Sequence, residues 1–216
     1  MNNNTTAIIQ VFYPEREAFL GKILDSLALV SAIEKIIVWI NGNRYRMRYA
    51  RPNLQTIHCS FDTLIGQYAA AFVAPSPMIY CQNDDLVVEP SSISRMLTTA
   101  EKLPTMIVGL LGSNVARDSA TPYSASESMN CGHCDMLVGR AWAADKQALI
   151  SGFERSLALN INPERGEDMF WTWKRAWVEP NCKWEDLPTN GVGLCHEANH
   201  AAERDRWAQH LIGCER

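Results

Sequence analysis

The opening of the chain restricts its fold more than anything that follows. Residues 7–12 (Ala-Ile-Ile-Gln-Val-Phe) form an almost unbroken apolar run closed by Tyr13-Pro14, the pattern of a strand buried on both faces. From Glu15 to about Val30, Phe19, Leu20, Ile23, Leu24 and Leu27 recur at helical spacing, with acids near the start as the helix dipole favours. Ile36-Ile37-Val38-Trp39-Ile40 is a second strand, stopped by Asn41-Gly42-Asn43. Strand, helix and strand in so short a stretch make a βαβ unit, whose strands are parallel and whose crossover is right-handed. A chain that begins this way builds an α/β layered fold.

The same alternation continues. Residues 54–59 read as a short third strand and 61–72 as a helix leading through Ala74-Pro75 into a further strand. After it, Ser91 or Ser92 caps a helix with Ile93, Met96, Leu97 and Ala100 on one face. Residues 105–111 are another buried strand, and 112–131, rich in Ser, Asn, Thr and Ala, read as a functional loop. Met136-Leu137-Val138 resumes strand character, residues 143–151 read as a helix, and Gly166-Glu167-Asp168 opens another with Met169, Phe170, Trp173 and Trp177 inward. Gly191 to Cys195 leads through His196 into a last helix ending near Ile212.

The chemistry concentrates where Met78-Ile79-Tyr80-Cys81-Gln82-Asn83 runs into Asp84-Asp85. The run is bounded by Pro-Ser-Pro before and Glu89-Pro90 after, so the two carboxylates stand at the carboxyl end of a buried parallel strand. Ligands bind at that edge of an open α/β sheet, and paired carboxylates there suit a hard divalent cation held against nucleotide phosphates. The plainer reading is a solvated turn ahead of the next helix.

Charge and length set bounds on the alternatives. With 216 residues and a formal charge of −4, one domain is expected, and whole-molecule electrostatics give no support for broad nucleic-acid or membrane binding. The first residues lack a basic leader and an apolar segment, and no run nears the roughly 20 apolar residues of a membrane span, so a cytoplasmic protein is expected. Seven scattered cysteines, an odd number, fit reduced thiols better than a disulfide framework.

Val38-Trp39-Ile40-Asn41, residues 79–85, residues 130–140 and Gly166-Glu167-Asp168-Met169 follow one another in order and at a telling spacing. Together they resemble the exostosin-family transferase domain, a metal-dependent glycosyltransferase of the GT-A fold: a strand ending in Asn, a strand ending in an acidic triplet, an acceptor-side strand and a Glu-Asp helix start. The likeness runs from about Ala7 to Trp173. It departs at the triplet, where Asn83 replaces an aspartate, keeping an oxygen ligand and losing a charge.

The resemblance implies a single GT-A domain over 1–216, a mostly parallel Rossmann-like sheet flanked by helices, with 1–6 flexible and 195–216 a helix closing the site. It implies a sugar donor activated as a nucleotide diphosphate, a UDP-sugar above all, held with Mn²⁺ or Mg²⁺, and transfer to a hydroxyl with retention. Asp85 then ligates the metal, and Asp84 holds the ribose or shares the ligation. His196 or His200 is a candidate further ligand, and an imidazole beside carboxylate would favour Mn²⁺. The two would share a face only if the last helix starts by His196. Arg16 and Asn41 stand where the family binds the nucleoside; Arg204 and Arg206 could clamp the diphosphate. Asp168, with Glu167 as the alternate, is placed for chemistry at the anomeric carbon, or as general base in an inverting enzyme. The plainer readings are exposed helix cations and an acid serving a helix dipole.

Two other functions fit parts of the chain. A nucleotidyltransferase on a related fold would want a Gly-rich loop after the first strand, where Tyr13-Pro14-Glu15-Arg16 stands instead. A nucleic-acid binder, or a transferase acting on hydroxymethylated DNA, would use Arg44, Arg46, Arg48 and Arg51 for phosphates and Tyr45 and Tyr49 for stacking, on the same sheet edge as Asp85. Cys131-Gly132-His133-Cys134 has the redox CxxC spacing, and with Cys182 and Cys195 or a histidine a zinc set; lacking a thioredoxin-like βαβ context and a second close pair, these thiols read as inert.

Overall fold

The computed structural model describes residues 4–11, 13–43, 50–60, 65–158, 167–188 and 199–215. Its first half follows the sequence closely: β1 (Thr5–Val11), α1 (Glu17–Ala28), β2 (Ile33–Ile40), β3 (Leu54–His58), α2 (Gly66–Val73) and β4 (Met78–Asn83). Then come β5 (Leu86–Val88), α3 (Pro90–Lys102), β6 (Ile107–Gly109), β7 (Gly112–Asn114), β8 (Glu127–Met129), β9 (Gly132–Cys134), β10 (Met136–Leu137) and β11 (Ala141–Asp145). The chain closes with α4 (Lys146–Ala158), α5 (Glu167–Thr172), β12 (Ala176–Val178), β13 (Trp184–Asp186) and α6 (His200–Gly213).

An eight-stranded sheet ordered β3-β2-β1-β4-β11-β6-β12-β9 forms the centre. β3, β2, β1 and β4 are mutually parallel, whereas β11 runs antiparallel to both β4 and β6. Alternation along each strand feeds two cores. Ala7, Ile9 and Val11 of β1 pack with Leu20, Ile23, Leu24, Ile93 and Met96 on the α1/α3 face. Ile8 joins Tyr68, Leu149, Met169 and Trp171 on the α2/α4/α5 face. Burial on both faces is why β1 reads as a continuous apolar run. No described helix is long and apolar enough to cross a membrane.

Several expectations are corrected. Thr5 and Thr6, expected in a flexible terminus, are buried in β1, and the Thr6 hydroxyl donates to Ser76 Oγ at 2.7 Å. The α3 cap is Glu89, not Ser91 or Ser92: Pro90 takes the first helical position, for which its fixed φ and missing N–H suit it. Ser92 instead accepts the Lys183 N–H at 2.8 Å. Residues 112–131 are not one loop, because β7 pairs with β8 and β10 in a small three-stranded sheet.

The largest misreading falls on residues 143–145: a helix was expected from Ala143 to Ser151, and it begins only at Lys146, with α4. Residues 141–145 are β11, with Ala141 and Ala143 in the α1/α3 core and Trp142 and Ala144 in the other. Alanine favours helix intrinsically, but the gap between β4 and β6 satisfies this segment's backbone on both sides, and small residues let α3 pack closely over it. Likewise α5 stops at Thr172, Lys174 takes a positive φ of 60°, and Trp177 belongs to β12.

Candidate active site

β1 leads to β2 on one side and, later in the chain, β4 returns on the other. The carboxyl ends of β1 and β4 therefore flank a topological switch point, the crevice where open α/β sheets bind ligands. Arg16 follows β1 and Asp84 follows β4, and they meet there: Arg16 Nη1 lies 2.5 Å from Asp84 Oδ1, with side-chain exposures of 8% and 0%. The Arg16 guanidinium also stacks over Tyr13, 4.8 Å from the ring centroid. One of the two aspartates is thus a buried, charge-paired group.

Asp85 differs. Its side chain is 20% exposed, and its ion-pair partner is Arg140 Nη2 at 3.5 Å. The turn that carries Arg140 is the junction of the site. Arg140 O accepts the Asn83 N–H at 2.9 Å, tying the turn to the end of β4. Gly139 N–H donates to Asp168 Oδ2 at 3.2 Å, and a Cβ on Gly139 would stand 3.0 Å from Asp168 Cβ. Glycine at 139 is what lets the first turn of α5 approach. Asp168 and Asp85 are therefore joined through adjacent residues.

Arg204, on α6, sends Nη2 to both Asp168 oxygens at 2.8 Å, and its guanidinium covers the Tyr123 ring at 4.6 Å. Asp205 accepts the N–H groups of Tyr123 and Ser124 at 2.8 and 2.9 Å and the Ser124 hydroxyl at 2.6 Å. α6 thereby holds the 115–126 segment over the α5 side of the site. Arg204 and Arg206 do not form the expected joint clamp. Two residues apart on a helix they point to nearly opposite sides, and the Arg206 side chain is 74% exposed with Glu203 4.0 Å away.

Asn41 is fully buried after β2, and its Oδ1 accepts Trp39 Nε1–H at 2.9 Å. Gly66 makes room for that indole, since a Cβ there would fall 2.2 Å from Trp39 Nε1. His200 is the first residue of α6, after Asn199 at φ 79°, so the helix does not start by His196 and the shared face fails. His196, Arg44, Arg46 and Arg48, with Tyr45 and Tyr49, lie outside the described residues, as does the Glu167 side chain. Arg51 is placed, and not at this edge: it precedes β3 and bonds Asp25 Oδ1 at 2.6 Å and Leu24 O at 3.2 Å. Those partners end α1, which returns antiparallel to the strands, so Arg51 sits at the amino end of the sheet, away from Asp85.

Among the described residues no three or more His, Cys, Asp or Glu side chains gather as a metal cage, so Cys131, Cys134 and Cys182 do not form one together; Cys195, the fourth member of the zinc set, lies outside the described residues. The six described cysteines are free thiols. Burial pushes the Cys134 thiol up to about 11, against the activated thiolate a redox CxxC needs. Sequence reasoning missed Arg140 and Asp186 as site residues; a Gly-Arg pair between two apolar runs was the available signal.

No family model matches the chain, and no curated protein matches it in sequence. Solved structures do match in fold. The crystal structure of GalNAc-T7 with UDP, GalNAc and Mn²⁺ superposes with a TM-score of 0.65 at 10% identity, over 86% of this chain and 44% of that one. The 4-diphosphocytidyl-2C-methyl-D-erythritol synthase of Anaerococcus prevotii superposes at 0.54 with 13% identity, over 95% of this chain and 98% of that one. The chain thus spans less than half the length of GalNAc-T7. At such identities the likeness establishes the fold, an α/β sheet of the GT-A kind.

Proposed function

We propose that the chain is a metal-dependent glycosyltransferase that moves a sugar from a nucleotide-diphosphate donor, a UDP-sugar, onto a hydroxyl acceptor. The observation that carries this reading is the Asp84-Asp85 pair at the β1/β4 switch point, with one carboxylate sealed against Arg16 and the other open to the crevice. The exostosin-like motifs add the same assignment from the sequence side.

The donor set fits a cation of limited protein ligation. Asp85 offers a partly exposed carboxylate, Asp84 is engaged by Arg16, and no third acidic, thiol or imidazole group joins them among the described residues. Mg²⁺, and Mn²⁺ by analogy, is commonly held by one or two carboxylates with substrate phosphates and water filling the rest. Bound to Asp85, the ion would act as a Lewis acid on the diphosphate leaving group. The chain's own residues do the remaining work. Arg16 fixes Asp84 so that the turn after β4 keeps its shape, and the Trp39 indole orients Asn41 beside the nucleoside. Arg204 and Gly139 N–H hold Asp168 with both oxygens oriented, beside the place where positive charge grows at the anomeric carbon. The 115–126 segment, fixed by Asp205, covers the Asp168 side of the site.

A nucleotidyltransferase is the second reading, favoured by the near full-length superposition on the A. prevotii enzyme. Tyr13-Pro14-Glu15-Arg16 in place of a Gly-rich loop argues against it. A thermal-shift panel of UDP, UDP-sugars and CTP, with and without Mn²⁺, separates the two. At a hundredfold excess over Kd a ligand of the native state adds about 2.7 kcal/mol, or about 5–10 °C in a chain of this size. The proposal expects that shift for UDP-sugars with Mn²⁺ and its loss in Asp85→Asn. A shift with CTP alone, or one that survives Asp85→Asn, would overturn it.

A further inference from the structure

Arg140 has a fixed backbone and a divided side chain. Its N–H donates to Val138 O at 2.7 Å and its carbonyl accepts from Asn83. Its guanidinium leans between two carboxylates: Nη2 is 2.7 Å from Asp186 Oδ1 and 3.5 Å from Asp85 Oδ1. Asp186 comes from β13, paired opposite Leu86 on β5, so a two-stranded sheet separate from the central one supplies the second acid. The shorter contact is to the more hydrated carboxylate, with side-chain exposures of 65% for Asp186 and 20% for Asp85. Arg140 is thus anchored on the rim and reaches the inner acid only across a longer gap.

We propose that Arg140 is an exchangeable counter-ion of Asp85: it screens that carboxylate in the metal-free state, yields it to a divalent cation, and remains on Asp186, where its guanidinium meets the donor diphosphate. The inference rests on the glycosyltransferase reading. The two acids after β4 are adjacent in sequence, and only Asp84 has a close buried partner in Arg16. The long Arg140 contact lowers the repulsion between them without filling the ligand position. A divalent ion at Asp85 repels Arg140, and a guanidinium held by Asp85 alone would be driven into solvent. Asp186 gives it a place to stay. A guanidinium kept beside the ion pairs with diphosphate oxygens in a fork that a lysine could not reproduce.

The experiment titrates Mn²⁺ into chelator-treated protein, reading free Mn²⁺ by electron paramagnetic resonance, and then UDP at saturating Mn²⁺ by calorimetry. Arg140 and Asp186 both reach solvent, at 25% and 65%, and circular dichroism checks that each variant folds. Arg140→Gln should bind Mn²⁺ tighter without nucleotide, by up to roughly fivefold, the size of a partly exposed ion pair. It should bind UDP roughly tenfold weaker, as a charged hydrogen bond is lost. Asp186→Asn should weaken Mn²⁺, because Arg140 loses its rim partner and falls back on Asp85. A purely structural role moves neither constant in opposite directions. Wild-type protein that binds Mn²⁺ and UDP while Arg140→Gln leaves Mn²⁺ affinity unchanged or lower overturns the exchange alone. Wild-type protein that binds neither overturns the glycosyltransferase reading and the exchange with it.

Discussion

Replacing Arg16 by methionine tests how the site is held together. The Arg16–Asp84 pair is 2.5 Å long, and its two side chains are 8% and 0% exposed. Methionine fills much of the same volume but leaves the Asp84 charge in a place water does not reach. Removing one partner of a buried pair costs about 3–5 kcal/mol, against a total of about 5–15 kcal/mol for a folded domain, so the variant folds with much of its margin gone. With an m-value of about 2–3 kcal/mol/M in urea, the unfolding midpoint should fall by about 1–2 M. The double variant Arg16→Met/Asp84→Asn removes both charges. Because two desolvated charges gain little over neutral groups of similar shape, it should recover most of the loss, with a favourable coupling energy in the cycle. Equilibrium unfolding followed by tryptophan fluorescence measures all three proteins. An unshifted midpoint in Arg16→Met, or a double variant no more stable than the single, would refute the account of Asp84 as a buried ion that depends on its partner.

Asp168→Asn should lower kcat by at least about a hundredfold, the scale of a lost electrostatic contact to the reacting centre, while donor affinity holds; an equal loss of both would move Asp168 into the donor pocket. Burial pushes the Glu215 carboxyl up, but hydrogen bonds from Arg117 and Trp173 outweigh it and hold the group below its usual 4.5. A lowered folded value adds stability above that pH and loses it as pH falls through the folded value. Glu215→Gln should therefore flatten the acid limb of the stability curve below about pH 4.5 and cost about 1–3 kcal/mol at neutral pH, measured by urea unfolding across pH; an unchanged acid limb would show that this contact to α6 contributes nothing. In native protein at neutral pH, alkylation followed by peptide mapping should find the exposed Cys131 and Cys214 labelled and the buried Cys134 protected; equal labelling of Cys131 and Cys134 would revive the redox reading.

The parallel half of the sheet was legible because its signals are local. β1 and β4 are buried on both faces along nearly all their length and β2 through its second half, so each holds a mostly apolar run, and α1 carries one apolar stripe, patterns a short window can read. The position of Asp84 and Asp85 was legible for the same reason, since residues that stop a buried parallel strand stand at its ligand edge whatever the neighbours are. β11 was not: Ala-Trp-Ala-Ala is compatible with helix, and its conformation was decided by β4 and β6, which lie far from it in sequence and leave between them a gap only a strand can fill. The pairings that shape the site were equally hidden. Arg16 meets Asp84 across 68 residues, Arg140 meets Asp85 across 55, and Arg204 meets Asp168 across 36. A charged residue has no periodicity that names its partner, because ion pairs form between whichever groups the strand order brings to one edge. The sequence by itself determined a layered α/β sheet with two acids at its ligand edge. Tertiary structure alone decided which cation each acid faces, and so which is sealed and which is partly open to solvent.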